Sequence, residues 1–384
     1  MESFWQQESV GDYPAASGTI EADIAIVGGG YTGSWLAYWL KSRGLRVVLV
    51  ESKTPGYGAS GRNGGLMLQG PAELLSDASV AMGEEKALEL ARMTRESFFW
   101  IEALSARHSV DFHVTGSLYL AGTSAERNAL QKTAALYQKI GVAARLLEPH
   151  EQAESLRLFD GDWALWIPDD GMVHPVKLIR ALLRAAFQGG VAIYAQSPVS
   201  DIEDRGSGVR LRGPGFDVHA EKAVLCTNAY TPLGPPIQPV RGQVLVTEPL
   251  PPLDHPYPVY HDRGFNYWHQ RPDGRLVAGG FRYLALEEEL GTDLILHPVI
   301  QERLETLAAT LVGHKVGIER RWAGIMGMTP DHHPYLGPLS KSLWMAAGFN
   351  GHGSTVTPVA ARMIRDALLE GAPIFEPFSV RRVA

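Results

Sequence analysis

The sequence predicts an α/β protein in which a nucleotide-binding unit is interleaved with a β-rich unit. Three observations predict it. Between residues 23 and 51 an apolar run ends in glycines, a helical pattern follows, and a second apolar run closes the unit. Beyond residue 190 the chain turns to short strand-like runs broken by Gly, Pro and Asp. Near the C-terminus LWMAAGFNGHG again places an apolar run before a glycine loop, with a helix behind it.

The elements follow in order. IAIVGGG is a buried strand, YTGSWLAYWLKSRG a helix stopped at Gly44, and RVVLVE a second strand. Continuous apolar runs joined by a helix are the signature of parallel strands, so this is a Rossmann-like βαβ unit. It also explains the long uncharged run Ile24 to Leu40, whose internal glycines would weaken a spanning helix. A loop rich in Gly, Ser and Asn spans 52–70. Leu88, Leu90, Phe98, Ile101 and Leu104 mark a helix over 83–105, and GSLYLAG (116–122) reads as a strand. Thr123 and Glu126 form a capping box opening a helix over 124–140. Pro175 opens another over 174–188. VAIYAQ, VSDIED, GVRLRG and FDVHA read as separate strands, with AEKAVLCTNAYT as one more. Residues 240–283 read as antiparallel strands, with Pro272-Asp273-Gly274 joining YWHQR to RLVAGG. Residues 297–311 are helical, and TPVAARMIRDALLEG is a final helix with Pro358 near its first turn.

At about 150 residues per domain, 384 residues allow two or three. No repeat or low-complexity linker divides them. The expected division gives 20–75, 165–235 and 320–384 to the nucleotide unit, 76–164 and 236–319 to the second unit, and 1–19 to an N-terminal extension.

Composition excludes several classes. Hydrophobic residues are 45% and charged residues 20%, which is a packed globular balance. Lys+Arg 35 against Asp+Glu 42 gives −7, with no basic run, against a nucleic-acid partner. The single cysteine, Cys226, forbids an intrachain disulfide and a cysteine zinc site. His332-His333 is poor spacing for one metal, and no metal-binding motif is present. The first twenty residues lack a signal-peptide pattern, so a cytoplasmic protein without membrane insertion is expected.

Gly28, Gly30 and Gly33 form G-x-G-x-x-G between a strand and a helix, with Tyr31 and Thr32 inside the motif. The first glycine permits the turn, the second the approach of a pyrophosphate, and the third the packing of helix on sheet. The helix N-terminus supplies N–H groups and positive potential. Glu51, followed by Ser52, ends the second strand at the distance expected for a ribose-binding acid. The alternative is an ordinary glycine-rich turn, and the motif alone does not separate FAD from NAD.

The next loop, GYGASGRNGG (56–65), is more glycine-rich than a plain connection needs. Here the chain resembles the FAD-dependent amine and amino-acid oxidoreductases of the D-amino-acid oxidase superfamily. GASGRNGG and the SFW ahead of the βαβ unit are most similar to the gamma-glutamylputrescine oxidoreductase subgroup. The resemblance implies FAD contacts from Ser60, Arg62, Asn63, Gly64, Gly65 and Leu66. It continues through DGMVHPVKLIRAL (170–182), through Val199 opposite adenine, and through VLCTNAYT, which brings Thr227 and Asn228 beside the cofactor. VRGQVLVTEPL (240–250) resembles the entry to the substrate domain. WAGIMGMTPDHHPYLG, with Gly324, and AAGFNGHG, with Gly348, Asn350, Gly351, His352 and Gly353, resemble the motifs closing around the flavin ring. A glycine loop before a helix also aims that helix's N-terminus at the loop's ligand.

Departures from relatives bear on substrate and attachment. Glycine oxidase and D-amino-acid oxidase carry a carboxylate-gripping arginine in a GLRP-like segment; here the segment is GIMG, and Met326 stands in that place. A thioether lines an apolar slot and pairs with no carboxylate. An amine substrate is therefore expected, unless Arg241 or Arg320 substitutes; the alternative is then an N-methyl or D-amino acid. The cysteine that attaches flavin in monomeric sarcosine oxidase falls near Gly324, so FAD is expected to be non-covalent. That enzyme's oxygen-activating lysine falls at Val277, which leaves oxidase and dehydrogenase both open. On YWHQR, Tyr267 and His269 share a face and are, with His352, the catalytic candidates. Trp268, Met326 and Arg241 are the expected substrate pocket. The expected reaction is oxidation of an amine C–N bond, with oxygen or another electron acceptor as partner.

Overall fold

The computed structural model describes residues 1–154, 156 and 163–383. Among the described residues seven α-helices are numbered along the chain: α1 (Tyr31–Leu40), α2 (Leu75–Met82), α3 (Glu84–Ser105), α4 (Ser124–Lys139), α5 (Pro175–Gln188), α6 (Pro298–Val312) and α7 (Gly353–Glu370). Two large sheets and one small sheet organise them.

The first sheet has Gly18–Val27 at its centre. It pairs in parallel with Val47–Val50 on one side and with Phe216–Leu225 on the other. Ala192–Tyr194 continues the sheet beyond Val47–Val50. FDVHA and AEKAVL, read as two strands, are one continuous strand. Its first half pairs antiparallel with Val209–Gly213 and its second half parallel with Leu343–Ala347. The neighbours change along the strand, so the periodicity changes too, without a break. Helices α1, α5 and α7 cover one face, burying Leu36, Leu182 and Ile364 in a common core.

The second sheet runs Ile318–Met328, Gln238–Pro249, Arg275–Gly280, Asn266–Gln270, Val259–His261, Ser117–Ala121, Trp163–Ile167 and Arg145–Leu147. Helix α6 packs on one part of it, and α2, α3 and α4 bury Leu75, Leu88 and Leu130 against another. Expected boundaries at 165 and 320 therefore fall inside strands of this sheet. The small sheet joins Leu66–Met67, Gly171–Val173 and Phe112–Val114.

Local chemistry sets the helix starts. Thr123 Oγ1 accepts from the Glu126 N–H (3.2 Å) while Glu126 accepts from the Thr123 N–H (3.0 Å), the expected capping box. Pro175 opens α5 behind His174, whose Nδ1 accepts from Lys177 N–H at 3.3 Å. Two expectations need correction. The stretch between the loop that ends at 70 and the helix expected from 83, to which the sequence reading assigns no element, contains α2. Helix α7 begins at Gly353, so Pro358 lies inside it and not near its first turn. Gly353 and Ser354 are poor helix formers that continue a glycine loop, and that masked the true start.

Candidate functional site

A cavity of about 890 Å³ lies between the two large sheets. Its floor is the turn at the end of Gly18–Val27. Gly30 caps α1 in extended conformation. A Cβ at Gly28 (φ +107) would stand 2.8 Å from the Cys226 carbonyl oxygen, and one at Gly33 would stand 1.9 Å from the Gly28 carbonyl oxygen. Both must be glycine for strand, turn and helix to close. Gly33 does not line the cavity; it packs the helix beneath the turn. Glu51 does line it. Its Oε2 accepts from the Gly29 N–H (2.7 Å), and its Oε1 accepts from the Lys53 N–H (2.8 Å) and the Ser52 hydroxyl (3.1 Å). These bonds fix the carboxylate at the end of the second strand. Val199, Thr227 and Tyr31 complete this end together with Thr32.

The loop 56–65 forms one wall. Ser60 Oγ accepts from the Tyr31 N–H (2.9 Å), tying the loop to the start of α1. Asn63 accepts from Gly65 N–H (2.8 Å) and donates to Ser60 O (2.9 Å). Arg62 is buried and donates to the carbonyls of Tyr57, Ala323 and Met1, so burial lowers its pKa while carbonyls replace water. Gly324 crosses over it; a Cβ there would meet Arg62 Cβ at 2.9 Å. Ser60, Arg62, Asn63, Gly64 and Leu66 line the cavity, whereas Gly65 (φ +78) packs behind it against Val173.

The N-terminal extension supports this wall. Trp5 is fully buried and donates to the Asn63 carbonyl (2.7 Å), and Ser3 Oγ donates to the Gly61 carbonyl (2.5 Å). Sequence reasoning placed no functional residue there. The SFW signal pointed to it.

The opposite wall is the loop before α7. Gly351, His352 and Gly353 line the cavity with Asn350. The Asn350 side chain is spent on the loop itself, accepting from Thr329 N–H (2.7 Å) and donating to Gly348 O (2.7 Å). Asn228 accepts from Gly348 N–H (2.9 Å), which uses Gly348 as a hinge of the loop and not as lining. No described group accepts from the N–H of Gly351 or Gly353. His352 Nδ1 is enclosed without a protein partner, and burial pushes the ring down to about 4, so it is neutral.

The second sheet forms the remaining side. Tyr267 and Tyr260 line it, both hydroxyls held neutral by burial. Tyr267 packs so tightly that a Cβ at Gly64 would lie 2.4 Å from its ring. Met326 lines it too, beside Gly242 and Gly351.

Three expected substrate-side residues lie elsewhere. Trp268 points to the other face and is fully buried, its indole N–H donating to His255 Nε2 at 3.1 Å. His269 shares the face of Tyr267 but lies beneath Gly64, to whose carbonyl its Nε2 donates (2.8 Å). Burial lowers its pKa to about 4. Arg241 is buried against Glu289 (3.2 Å) and the Asp293 carbonyl (2.9 Å), and it also donates to the Glu288 carbonyl. Arg320 lies beside the Gln7 amide, away from the cavity. Residues that sequence reasoning missed are Tyr260, Glu73, Arg263 and Arg282, which line the cavity from segments without a motif. Among the described residues no three His, Cys, Asp or Glu side chains converge to hold a metal, and no helix is long and apolar enough to cross a membrane.

A glycine turn under a helix N-terminus, a fixed acid at the second strand and a long glycine-walled cavity define a class: a dinucleotide-binding oxidoreductase. Comparison gives the family. The chain matches the FAD-dependent oxidoreductase (DAO) family over residues 23–367 and belongs to it. It is 26% identical to gamma-glutamylputrescine oxidoreductase of Escherichia coli, over 94% of this chain and 87% of that protein. It is 26% identical to a hydrogen cyanide synthase subunit of Pseudomonas aeruginosa, over 91% of each. Its fold matches the crystal structure of glycine oxidase from Geobacillus kaustophilus with a TM-score of 0.78 at 26% identity, covering 94% of this chain and 98% of the other. The chain is thus an FAD-dependent oxidoreductase. Its residues fit the cofactor: side chains are missing where a pyrophosphate must approach, and a neutral imidazole with an unpartnered Nδ1 faces the cavity.

Proposed function

We propose that this enzyme oxidises the C–N bond of a primary or secondary amine. The observation that carries the reading is Met326, a thioether lining the cavity beside Gly351 where an α-amino-acid oxidase would need a cation. Glu51 takes ribose hydroxyls, the turn at Gly28 to Thr32 takes the pyrophosphate, and Val199 meets adenine. Ser60 to Leu66, Gly324 and the N–H groups of Gly351 and Gly353 hold the flavin end. We infer non-covalent attachment: the one cysteine, Cys226, lies at the turn beside Gly28, far along the chain from Gly324. When bound, FAD supplies the two-electron acceptor for a hydride from the substrate carbon.

The chain's own residues orient and desolvate. Tyr260 and Tyr267 stay protonated and present aromatic faces to an amine. His352 is neutral, so it does not repel an ammonium and can accept from an N–H. The amine loses a hydride from carbon and a proton from nitrogen, and water then cleaves the imine to a carbonyl compound and either ammonia, from a primary amine, or a smaller amine, from a secondary one. With oxygen as final acceptor, hydrogen peroxide is released. A cytoplasmic setting and a small-molecule substrate belong to this reading.

A second reading is a flavin-binding subunit that turns over only in a larger assembly. The relative named as a synthase subunit favours it. One anaerobic absorbance experiment separates the two. The purified holoenzyme is mixed with a pool of primary and secondary amines, and separately with a pool of amino acids. Bleaching of the flavin band by amines alone is expected. Bleaching by short α-amino acids alone overturns the Met326 argument, and a flavin that no pool reduces supports the subunit reading.

A further inference from the structure

We propose that Arg282 grips a carboxylate of the substrate, several bonds from the carbon that is oxidised. This deepens the amine-oxidation reading and rests on it. Four arginines lie at or next to the cavity, and two of them are locked in place. Arg62 is held by three backbone carbonyls, and Arg241 is locked on Glu289. Arg263 is mostly exposed and faces Asp77 at 3.9 Å. Arg282 lines the cavity, half-buried, and its guanidinium makes no hydrogen bond or ion pair among the described residues. Its guanidinium stacks on the Phe265 ring at 5.6 Å, which orients it without neutralising it. The acid whose field reaches it is Glu289, already committed to Arg241 and Gln243.

A half-buried guanidinium without an anion has lost hydration that ring stacking and a distant carboxylate offset only in part. Its planar fork matches a carboxylate through two parallel hydrogen bonds. The sheet tells where that carboxylate would lie. Strands Arg275–Gly280 and Ile318–Met328 both pair antiparallel with Gln238–Pro249, so they end on the same side. Met326 is near one end, and Arg282 follows the other, past the left-handed turn at Phe281 (φ +56). Tyr267 sits further in, opposite Gly279. The proposed anion-binding place thus lies not on the strand that carries Met326 but on the segment after Arg275–Gly280, across Gln238–Pro249 in the sheet. A substrate that fits carries its amine inward, beside Tyr267 and His352, and its carboxylate outward. An α-amino acid, with amine and carboxylate on one carbon, holds the two groups only two bonds apart.

The test is a titration of the holoenzyme with butanoate and with butanamide, read as perturbation of the flavin absorbance. Wild type should bind butanoate at least about tenfold more tightly, the worth of one charge-assisted hydrogen-bonded pair. Arg282→Gln should bring the two ligands within about twofold, Arg282→Lys should restore part of the difference, and Arg320→Gln should keep it. In anaerobic reduction, 4-aminobutanoate should outperform both glycine and butylamine. No preference for butanoate in wild type, or a preference that survives in Arg282→Gln, overturns the assignment. If no amine reduces the flavin but the butanoate preference depends on Arg282, the amine reading falls and the anion site stands. Reduction by amines without an Arg282-dependent preference does the reverse.

Discussion

The two ends of the cavity are built from different materials. The nucleotide end is backbone: glycines at 28, 30 and 33, a helix N-terminus, and one carboxylate held by neighbouring N–H groups. The mouth is side chain: Arg282, Arg263, Glu73 and Leu286, on segments with little regular structure. A backbone site tolerates almost no change, because an added atom meets a carbonyl. A side-chain site can be rewritten one residue at a time. On the proposed reading, the difference separates the end that holds the cofactor from the end that selects the substrate.

The sharpest way to break that contrast is at the junction between the extension and the glycine loop. Trp5→Ala removes a fully buried indole that holds Asn63. It should cost ~3–5 kcal/mol of stability and release FAD, measured by urea unfolding and by flavin retained on a column. Retained flavin with unchanged stability would show that the wall stands without its support.

Gly33→Ala comes next. Its Cβ would overlap the Gly28 carbonyl, and overpacking of this kind costs ~1–3 kcal/mol, expressed as lower FAD retention and a lower unfolding midpoint. Glu51→Gln keeps the shape and removes the charge. FAD affinity should fall about tenfold by equilibrium dialysis, one charge-assisted hydrogen bond being lost.

On the wall that carries Met326 the effects should fall on selectivity. Met326→Arg should raise the rate of flavin reduction by short α-amino acids relative to amines. An unchanged ratio would mean that this side chain does not meet the substrate. The smallest effect is on pH dependence. His269 and His352 have folded pKa values of about 4, against 6.5 when unfolded, so the unfolded chain binds more protons between these values. Their contribution to stability is full above 6.5 and is lost as pH falls towards 4. Asp170, pushed up to about 7 by burial, opposes them: its contribution falls as pH rises from 3.8 to 7. Two histidines outweigh one carboxyl, so the urea midpoint should drop between pH 7 and 5. Asp170→Asn should steepen that drop, and His269→Gln should shrink it.

Much of the cofactor end was legible because its signals are local. A strand, three glycines at fixed spacing and an acid after the next strand are neighbours in sequence and in space. The loop GASGRNGG was legible in kind, though its anchors were not. Trp5 reaches Asn63 from 58 residues away, and His269 reaches Gly64 from 205 away. Alternation put Tyr267 and His269 on one face correctly, yet only Tyr267 meets the cavity, because Gly64 lies over the histidine.

The sequence by itself determined the βαβ unit, the glycine turn between its first strand and helix, the hairpin at Pro272-Asp273-Gly274 and the thioether at Met326. These depend on backbone sterics and on residue identity, both of which are written locally. The tertiary structure alone decided which arginine is free. Arg241 and Arg282 are chemically the same residue, but Glu289, 48 positions from Arg241, closes on that guanidinium in the core. Arg282 is left with its charge unmet, because pairing follows from which strands lie side by side, and the composition of neither segment encodes that.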